Sequence, residues 1–408
     1  MKKLSLLVIV LCITCGSVSA QQALFGGQMP QSPEIHADKT VTFRCMAPGA
    51  QKVQITGDFL PTKQIDTPVG KYDAPGVADL VKDDKGVWSF TSTNLSPELY
   101  SYNLLLDGVK IVDPGSVYIT RDITSVTNIF ILSDKKGDCG DLYTVNEVPH
   151  GNVQKVWYDS PTLKMQRRMT VYTPAGYDKG KDYPVLYLLH GAGGDEDAWT
   201  TLGRASQILD NLIATGKAKP MVVVMTNGNP NCQAAPGEWS AGMYVPSFYG
   251  YQGAKAVATM DESFPDVMNY VESHYKVGKD KAHRAICGLS MGGGHSFDIS
   301  RRFPNKFDYV GLFSAGLHVG KTGDFRADFY KMLQEDEEAK QQLATLFKNK
   351  PKLYWIGMGK TDFLYKSTAG LRRYFDEKGY KYTYMETEGG HIWRNWRVYL
   401  TEFAQKIF

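Results

Sequence analysis

Neither sign of charge prevails in this sequence: 46 Lys and Arg stand against 43 Asp and Glu, scattered rather than bunched. There is no basic footprint for nucleic acid or for an anionic membrane surface. Cysteine is sparse, with six in 408 residues, and two of these, Cys12 and Cys15, fall within the first twenty. The other four, Cys45, Cys139, Cys232 and Cys287, fit no zinc spacing and lie too far apart to frame a disulfide-stapled fold. Cys287 sits inside an apolar run and reads as core packing. Beyond the first twenty residues no apolar run is long enough to span a bilayer. Low-complexity tracts and internal repeats are missing. So are His, Asp and Glu at metal spacing, and the Gly-Lys-Ser/Thr of a phosphate loop, so no metal and no cofactor is expected.

The first twenty residues have a character of their own. "MKKLSLLVIVLCITCGSVSA" places two lysines before an apolar stretch and ends in small residues at Ala20. This is the pattern of a secretory signal peptide cleaved before Gln21, which implies export to the periplasm or beyond. The apolar run is short for a membrane anchor. Thr14 stands where a small residue ordinarily precedes a lipidated cysteine, which argues against lipidation at Cys15.

The rest of the chain divides in two, as its length suggests. From about residue 35 to 133, short runs alternate apolar and polar positions, as in "TVTFRCMA", "KVQITGDF" and "VTNIFIL", with Gly, Pro, Asn and Asp between them. That predicts an all-β sandwich over 21–146. Trp88 occupies an inward-type position and reads as core. The polar segment "KKGDCGDLYTVNEVPHGN" reads as a linker. Over 147–408, strand-like runs such as "PVLYLLHG", "MVVVMTNG", "HRAICGLS", "YVGLFSAG" and "KLYWIGMG" alternate with helical ones. A mostly parallel sheet covered on both faces follows, with its site at the carboxyl ends of the strands.

One junction stands out there. "AICGLSMGGG" sets Ser290 between glycines, after an apolar strand and before a helix. Gly288 to Gly292 matches G-x-S-x-G, a sharp turn that exposes a serine hydroxyl above the sheet of an α/β-hydrolase. A serine needs a base, and in this fold the acid and then the histidine follow it in the chain. Three histidines do. His295 lies in the helix that Ser290 opens, His318 follows the next strand, and His391 sits on a loop at a strand end, where the base belongs. Asp362, on the loop after "KLYWIGMG", is the expected acid, whereas Asp376, Glu377, Glu386 and Glu388 read as solvated helix or strand residues. The three side chains are expected at the ends of neighbouring strands. An oxyanion needs two amides: Met291 supplies one, and Ala192 in the glycine-rich "HGAGGDEDAW" the other, with His190 orienting that loop. The long stretch from Asn229 to Gly253 is rich in aromatics and should overhang the cleft. Trp239, Tyr244, Tyr249 and Tyr251 are its candidates for stacking on substrate. Trp393 and Trp396 are weaker candidates, since a packed helix explains them equally well.

Together "HGAGGDEDAW", "HRAICGLSMGGG", "GMGKTDFLY" and "EGGHIWRNW" resemble the esterase-D-type carbohydrate esterases of family one, especially bacterial feruloyl esterases, from Val148 to Phe408. The resemblance implies Ser290 as nucleophile, Asp362 as acid, His391 as base, and the Ala192 and Met291 amides as oxyanion hole. It implies feruloylated or acetylated xylan oligosaccharides as substrates, since acetylxylan esterases share the motifs. The stretch "GVWSFTSTNLSPELYSYNLLLDGVKIVDPGS" resembles the early-set, immunoglobulin-like modules related to family-48 carbohydrate-binding modules. Enterochelin-type esterases also join a β-sandwich to such a hydrolase. The expectation is an α/β-hydrolase preceded by an immunoglobulin-like sandwich.

Overall fold

The computed structural model describes residues 29–67, 70–240, 256–320 and 328–408. The expected signal segment and Tyr244, Tyr249 and Tyr251 lie outside the described residues.

The first part of the chain forms β1 (Glu34–Ile35), β2 (Val41–Met46), β3 (Val53–Gly57), β4 (Lys63–Thr67), β5 (Gly70–Ala74), β6 (Gly76–Asp79), β7 (Val81–Lys82), β8 (Val87–Thr91), β9 (Glu98–Leu106), β10 (Val109–Ile111), β11 (Ile119–Asp122) and β12 (Ser125–Leu132). One sheet runs β1-β2-β8-β7, and the other runs β11-β12-β9-β3-β6 with β10 added to β9. Alternation along the strands explains how they meet. Val53 and Ile55 of β3 turn inward, as do Phe43 of β2 and Tyr102 and Leu104 of β9, into one core shared by both sheets. Trp88 joins that core and donates its indole N–H to the Ala47 carbonyl at 2.9 Å.

β12 is apolar on both faces. Phe130 and Leu132 enter the sandwich core, whereas Ile129 and Ile131 pack against the core of the second half. Leu99 of β9 is buried in that same second core. The sandwich is therefore docked through its sheet face. Polar groups fix the contact: Arg397 donates to Glu98 at 3.0 Å and to the Leu99 carbonyl at 3.1 Å, 298 residues away in sequence. Both side chains of this ion pair are buried, so removing Glu98 would strand the Arg397 charge, and removing Arg397 would leave Glu98 only the longer contact with Arg394 at 3.6 Å.

The expected linker is ordered. It contains helix α1 (Cys139–Tyr143), capped by the Asp138 carboxylate, and Tyr143 is buried. The Asn211 amide donates to the carbonyls of Leu142 and Thr144, both at 3.0 Å, and so ties the segment to the second half. The anchoring falls on backbone carbonyls, on Tyr143 and on Cys139 and Leu142, which pack against the second core.

The second half forms β13 (Asn152–Ser160), β14 (Met165–Thr173), β15 (Val185–Leu189), α2 (Ala198–Thr201), α3 (Ala205–Ala214), β16 (Val222–Thr226), α4 (Met260–His274), β17 (Arg284–Leu289), α5 (Met291–Arg302), β18 (Tyr309–Phe313), α6 (Phe329–Glu335), α7 (Glu337–Lys348), β19 (Leu353–Gly359), α8 (Tyr365–Lys378), β20 (Thr383–Thr387) and α9 (Trp393–Ala404). The sheet order is β13-β14-β16-β15-β17-β18-β19-β20, antiparallel at the β13–β14 and β14–β16 pairs and parallel elsewhere. Every residue of β15, β16 and β18 is buried, as a sheet with both faces covered requires. Val185 and Tyr187 of β15 pack with α4 residues such as Phe264, and Leu186 and Leu188 pack with Leu212 of α3 and Tyr399 of α9. β13 is mostly solvent-exposed, its apolar Val153 and Trp157 included. α6 and α7 are separated at Asp336, whose carboxylate caps α7 by accepting the Ala339 amide at 2.8 Å.

Candidate active site

Ser290 stands between β17 and α5 with φ +53° and ψ −115°, a conformation that costs a non-glycine residue about 1–3 kcal/mol. The neighbouring glycines allow it. A Cβ on Gly292 would lie 2.5 Å from the carbonyl oxygens of Leu189 and His190, and one on Gly288 would lie 2.6 Å from Gly292 backbone. The turn is held by three backbone bonds. The Ser290 amide donates to the Phe313 carbonyl at 2.9 Å, and the Ser290 carbonyl accepts the amides of Gly294 at 3.0 Å and Gly316 at 2.8 Å. Met291 begins α5, so its amide belongs to the helix turn that has no intrahelical acceptor.

Asp362 and His391 meet across the ends of β19 and β20. His391 Nδ1 lies 2.9 Å from Asp362 Oδ2 and 3.1 Å from Oδ1. The two loops are knitted together, with the Thr361 amide donating to the Gly389 carbonyl at 3.0 Å. Gly359 permits the approach, since a Cβ there would lie 2.5 Å from that same carbonyl. Burial raises the Asp362 carboxyl, but the charge and hydrogen bond of His391 and the Leu364 amide outweigh it, so its pKa falls below the usual carboxylate value. A carboxylate on Nδ1 keeps the proton there and leaves Nε2 as the acceptor.

The strands that carry these groups are not all neighbours: β18 separates β17 from β19. Even so, Ser290, His391 and Ala192 line one cavity of about 710 Å³. The Ala192 loop abuts the serine, because a Cβ on Gly191 would lie 3.2 Å from Ser290 Cβ. His190 supports that loop as expected. The Gly228 amide donates to its Nε2 at 2.7 Å, which leaves Nδ1 to donate to the Gly191 carbonyl at 2.7 Å.

Sequence reasoning missed the acidic run that follows this loop. Asp195 and Glu196 are buried rather than solvated. Glu196 accepts from Arg168 at 2.7 Å, from Asn227 at 2.9 Å and from the Ala235 amide at 2.8 Å. Buried Arg167 donates to the carbonyls of Asn227, Asn229 and Cys232 at 2.7, 2.8 and 3.1 Å, which holds the start of the long aromatic segment.

The aromatic candidates change places. Trp239 is 81% exposed and absent from the cavity wall, because Glu238 before it is drawn to Arg168. Phe363, Trp393 and Trp396 line the cavity instead. Phe363 and Trp396 flank His391 with ring centroids 4.6 and 4.9 Å away, and Trp393 meets Trp199 edge-on at 5.3 Å. Phe363 follows Asp362 directly, a proximity that the sequence offered. His318 is off the cavity wall, with Nε2 4.0 Å from Asp298. His295 lies on α5, and Glu386 and Glu388 bond Tyr365 and Lys360 at the surface. Among the described residues no three of His, Cys, Asp and Glu gather as a metal site.

Comparison with known proteins accords with this geometry. The endo-1,4-beta-xylanase/feruloyl esterase of Xylanibacter ruminicola is 30% identical over 387 residues, which are 92% of this chain and 46% of that protein. This chain thus spans about half the length of that relative. The acetyl esterase of Caldicellulosiruptor saccharolyticus is 23% identical over 272 residues, 61% of this chain and 90% of that protein. Among solved structures, the feruloyl esterase module from Clostridium thermocellum complexed with sinapinate aligns with TM-score 0.51 at 19% identity, over 65% of this chain and 91% of that one. The enterobactin esterase of Shigella flexneri aligns with TM-score 0.57 at 14% identity, over 90% of this chain and 92% of that one. These two likenesses are of fold, and the doubly covered sheet is an α/β-hydrolase domain. The Esterase family model matches residues 160–407, a stretch that takes in the Ala192 loop, the turn at Ser290 and the Asp362–His391 pair, and so the chain belongs to the Esterase family.

Proposed function

We propose that the protein is an exported serine esterase that removes feruloyl and related hydroxycinnamoyl groups from plant cell-wall xylan. One observation carries the reading: a carboxylate-bound histidine and a serine on a strained strand-to-helix turn share one cavity. In the mechanism, Ser290 Oγ attacks the ester carbonyl carbon while His391 Nε2 takes its proton. Asp362 holds the imidazole tautomer and stabilises the cation. The amides of Met291 and Ala192 receive the oxyanion. Collapse expels the sugar alcohol, which takes the proton from His391. Water, deprotonated by His391, then attacks the acyl-Ser290 carbonyl carbon, and the Ser290 Oγ–acyl bond breaks as His391 returns the proton to Oγ and the acid is released.

The acyl preference rests on the cavity. At about 710 Å³ and walled by Phe363, Trp393 and Trp396, it suits a planar phenolic group better than an acetyl group. The name of the Xylanibacter relative agrees with this. The acetyl esterase relative keeps acetylxylan as the second reading. An enterochelin-like, anionic substrate fits less well, because the wall carries Asp122, Asp195 and Asp197 against Arg121. The pattern of the first twenty residues supports export. The test is release of ferulate and of acetate from defined arabinoxylan fragments by the purified protein. Acetate release without ferulate would replace the first reading by the second.

A further inference from the structure

Part of the wall of the cavity that holds Ser290 does not belong to the hydrolase. It is formed by the β11–β12 hairpin of the sandwich, through Ile119, Arg121, Asp122, Ile123 and Val126. The hairpin is rigidly placed. Its base is docked through Ile129 and Ile131, and the Arg397–Glu98 pair fixes the adjoining β9. Its turn is closed by Arg121, whose Nη1 donates to the Ile123 carbonyl at 2.7 Å.

The other arm of the same guanidinium crosses to the hydrolase and donates to the Asp195 carboxylate. That carboxyl is 1% exposed, and its second oxygen accepts the Asp197 amide at 3.0 Å. Asp195 follows Gly194, whose amide turns back onto the Gly191 carbonyl at 3.1 Å. Ala192 lies within that turn. The position of the Ala192 amide is thus braced from below by His190 and from the side by a residue of the other half of the chain. Asp122, next to Arg121, lines the same cavity as His391 and Trp393. Two adjacent sandwich residues therefore reach the oxyanion loop and the base side of the cavity.

We propose that the sandwich hairpin is part of the esterase site, with Arg121 as a positioning residue that fixes the Ala192 amide through Asp195. The proposal rests on the serine-esterase reading of the cavity. It separates the sandwich's role from polymer binding, because an oxyanion donor acts on any ester, however small.

The test uses the full-length chain with p-nitrophenyl acetate and methyl ferulate, neither of which can engage a polymer-binding surface. Arg121→Met should lower kcat on both about tenfold or more, with KM within about twofold, since one misplaced oxyanion donor acts on the transition state. Arg121→Lys should recover part of the loss. Asp195→Asn should match Arg121→Met, and the double variant should be no worse than either alone. Thermal melts identify variants that fold. If Arg121→Met does not fold, the split between kcat and KM in Asp195→Asn decides. Folded variants with kcat within twofold of the parent, or with a loss confined to KM, overturn the proposal and leave the esterase reading standing. A parent protein that hydrolyses neither ester overturns both.

Discussion

His391 Nδ1 lies 2.9 Å from Asp362 Oδ2, although the two residues sit on separate loops 29 positions apart. The distance is set by Gly359 and by the bond from the Thr361 amide to the Gly389 carbonyl, which zip the loops together. Ser290→Ala and His391→Ala should each lower kcat on methyl ferulate about a million-fold, because such groups act as a unit. Asp362→Asn keeps the shape but offers the wrong partner to Nδ1, and should cost about 10⁴-fold. Steady-state kinetics on folded variants check all three, and substantial activity in Ser290→Ala would remove serine catalysis from the account.

The acyl preference should follow the cavity wall and not the exposed Trp239. Trp393→Ala should reduce kcat/KM for methyl ferulate about tenfold, from lost stacking and lost apolar burial, with p-nitrophenyl acetate affected less. Trp239→Ala should leave the ratio of the two substrates within about twofold. The reverse ranking would return the acyl site to the long loop.

Docking of the sandwich gives a stability prediction. Arg397→Ala removes one partner of a buried pair and should destabilise the protein by about 3–5 kcal/mol. Urea unfolding at neutral pH measures it. A change under 1 kcal/mol would mean that the two halves are joined more loosely than the Glu98 contact implies.

Much of this was legible in the sequence, for a physical reason. The turn at Ser290 and the loops at Asp362 and His391 depend on glycines that backbone crowding demands, and such positions leave a mark in a single chain. The buried strands were plain because both faces are apolar. β12 was read only as a sandwich strand, yet Ile129 and Ile131 make its second face an interface. The apolar pattern was visible, but which surface covered it was not. The buried carboxylates Asp195 and Glu196 and the half-buried Arg121 could not be distinguished from solvated charges, since pairing across long separations leaves no local pattern. Trp239 misled because aromatic content says nothing about which way a loop turns.

Acid sensitivity should come partly from His295. Burial pushes its pKa down to about 4, partly offset by Asp261. It stays neutral in the fold while the unfolded chain takes up a proton near pH 6.5. The unfolded state then binds more protons between about pH 6.5 and 4, so stability falls as pH drops through that window. The loss is at most about 3 kcal/mol, less to the extent that the ring meets solvent. His295→Asn should flatten this part of the stability profile, as read by urea midpoints at several pH values. An unchanged slope would assign the sensitivity elsewhere.

The central claim is that Ser290 is the nucleophile activated by His391. Labelling with a fluorophosphonate tests it most directly, because the reagent phosphonylates an activated serine and blocks turnover. Intact-mass and peptide analysis should show one phosphonyl group, on the peptide containing Ser290, with activity lost in proportion. Full loss of activity with Ser290 unmodified, or a modified Ser290 with activity retained, would contradict it.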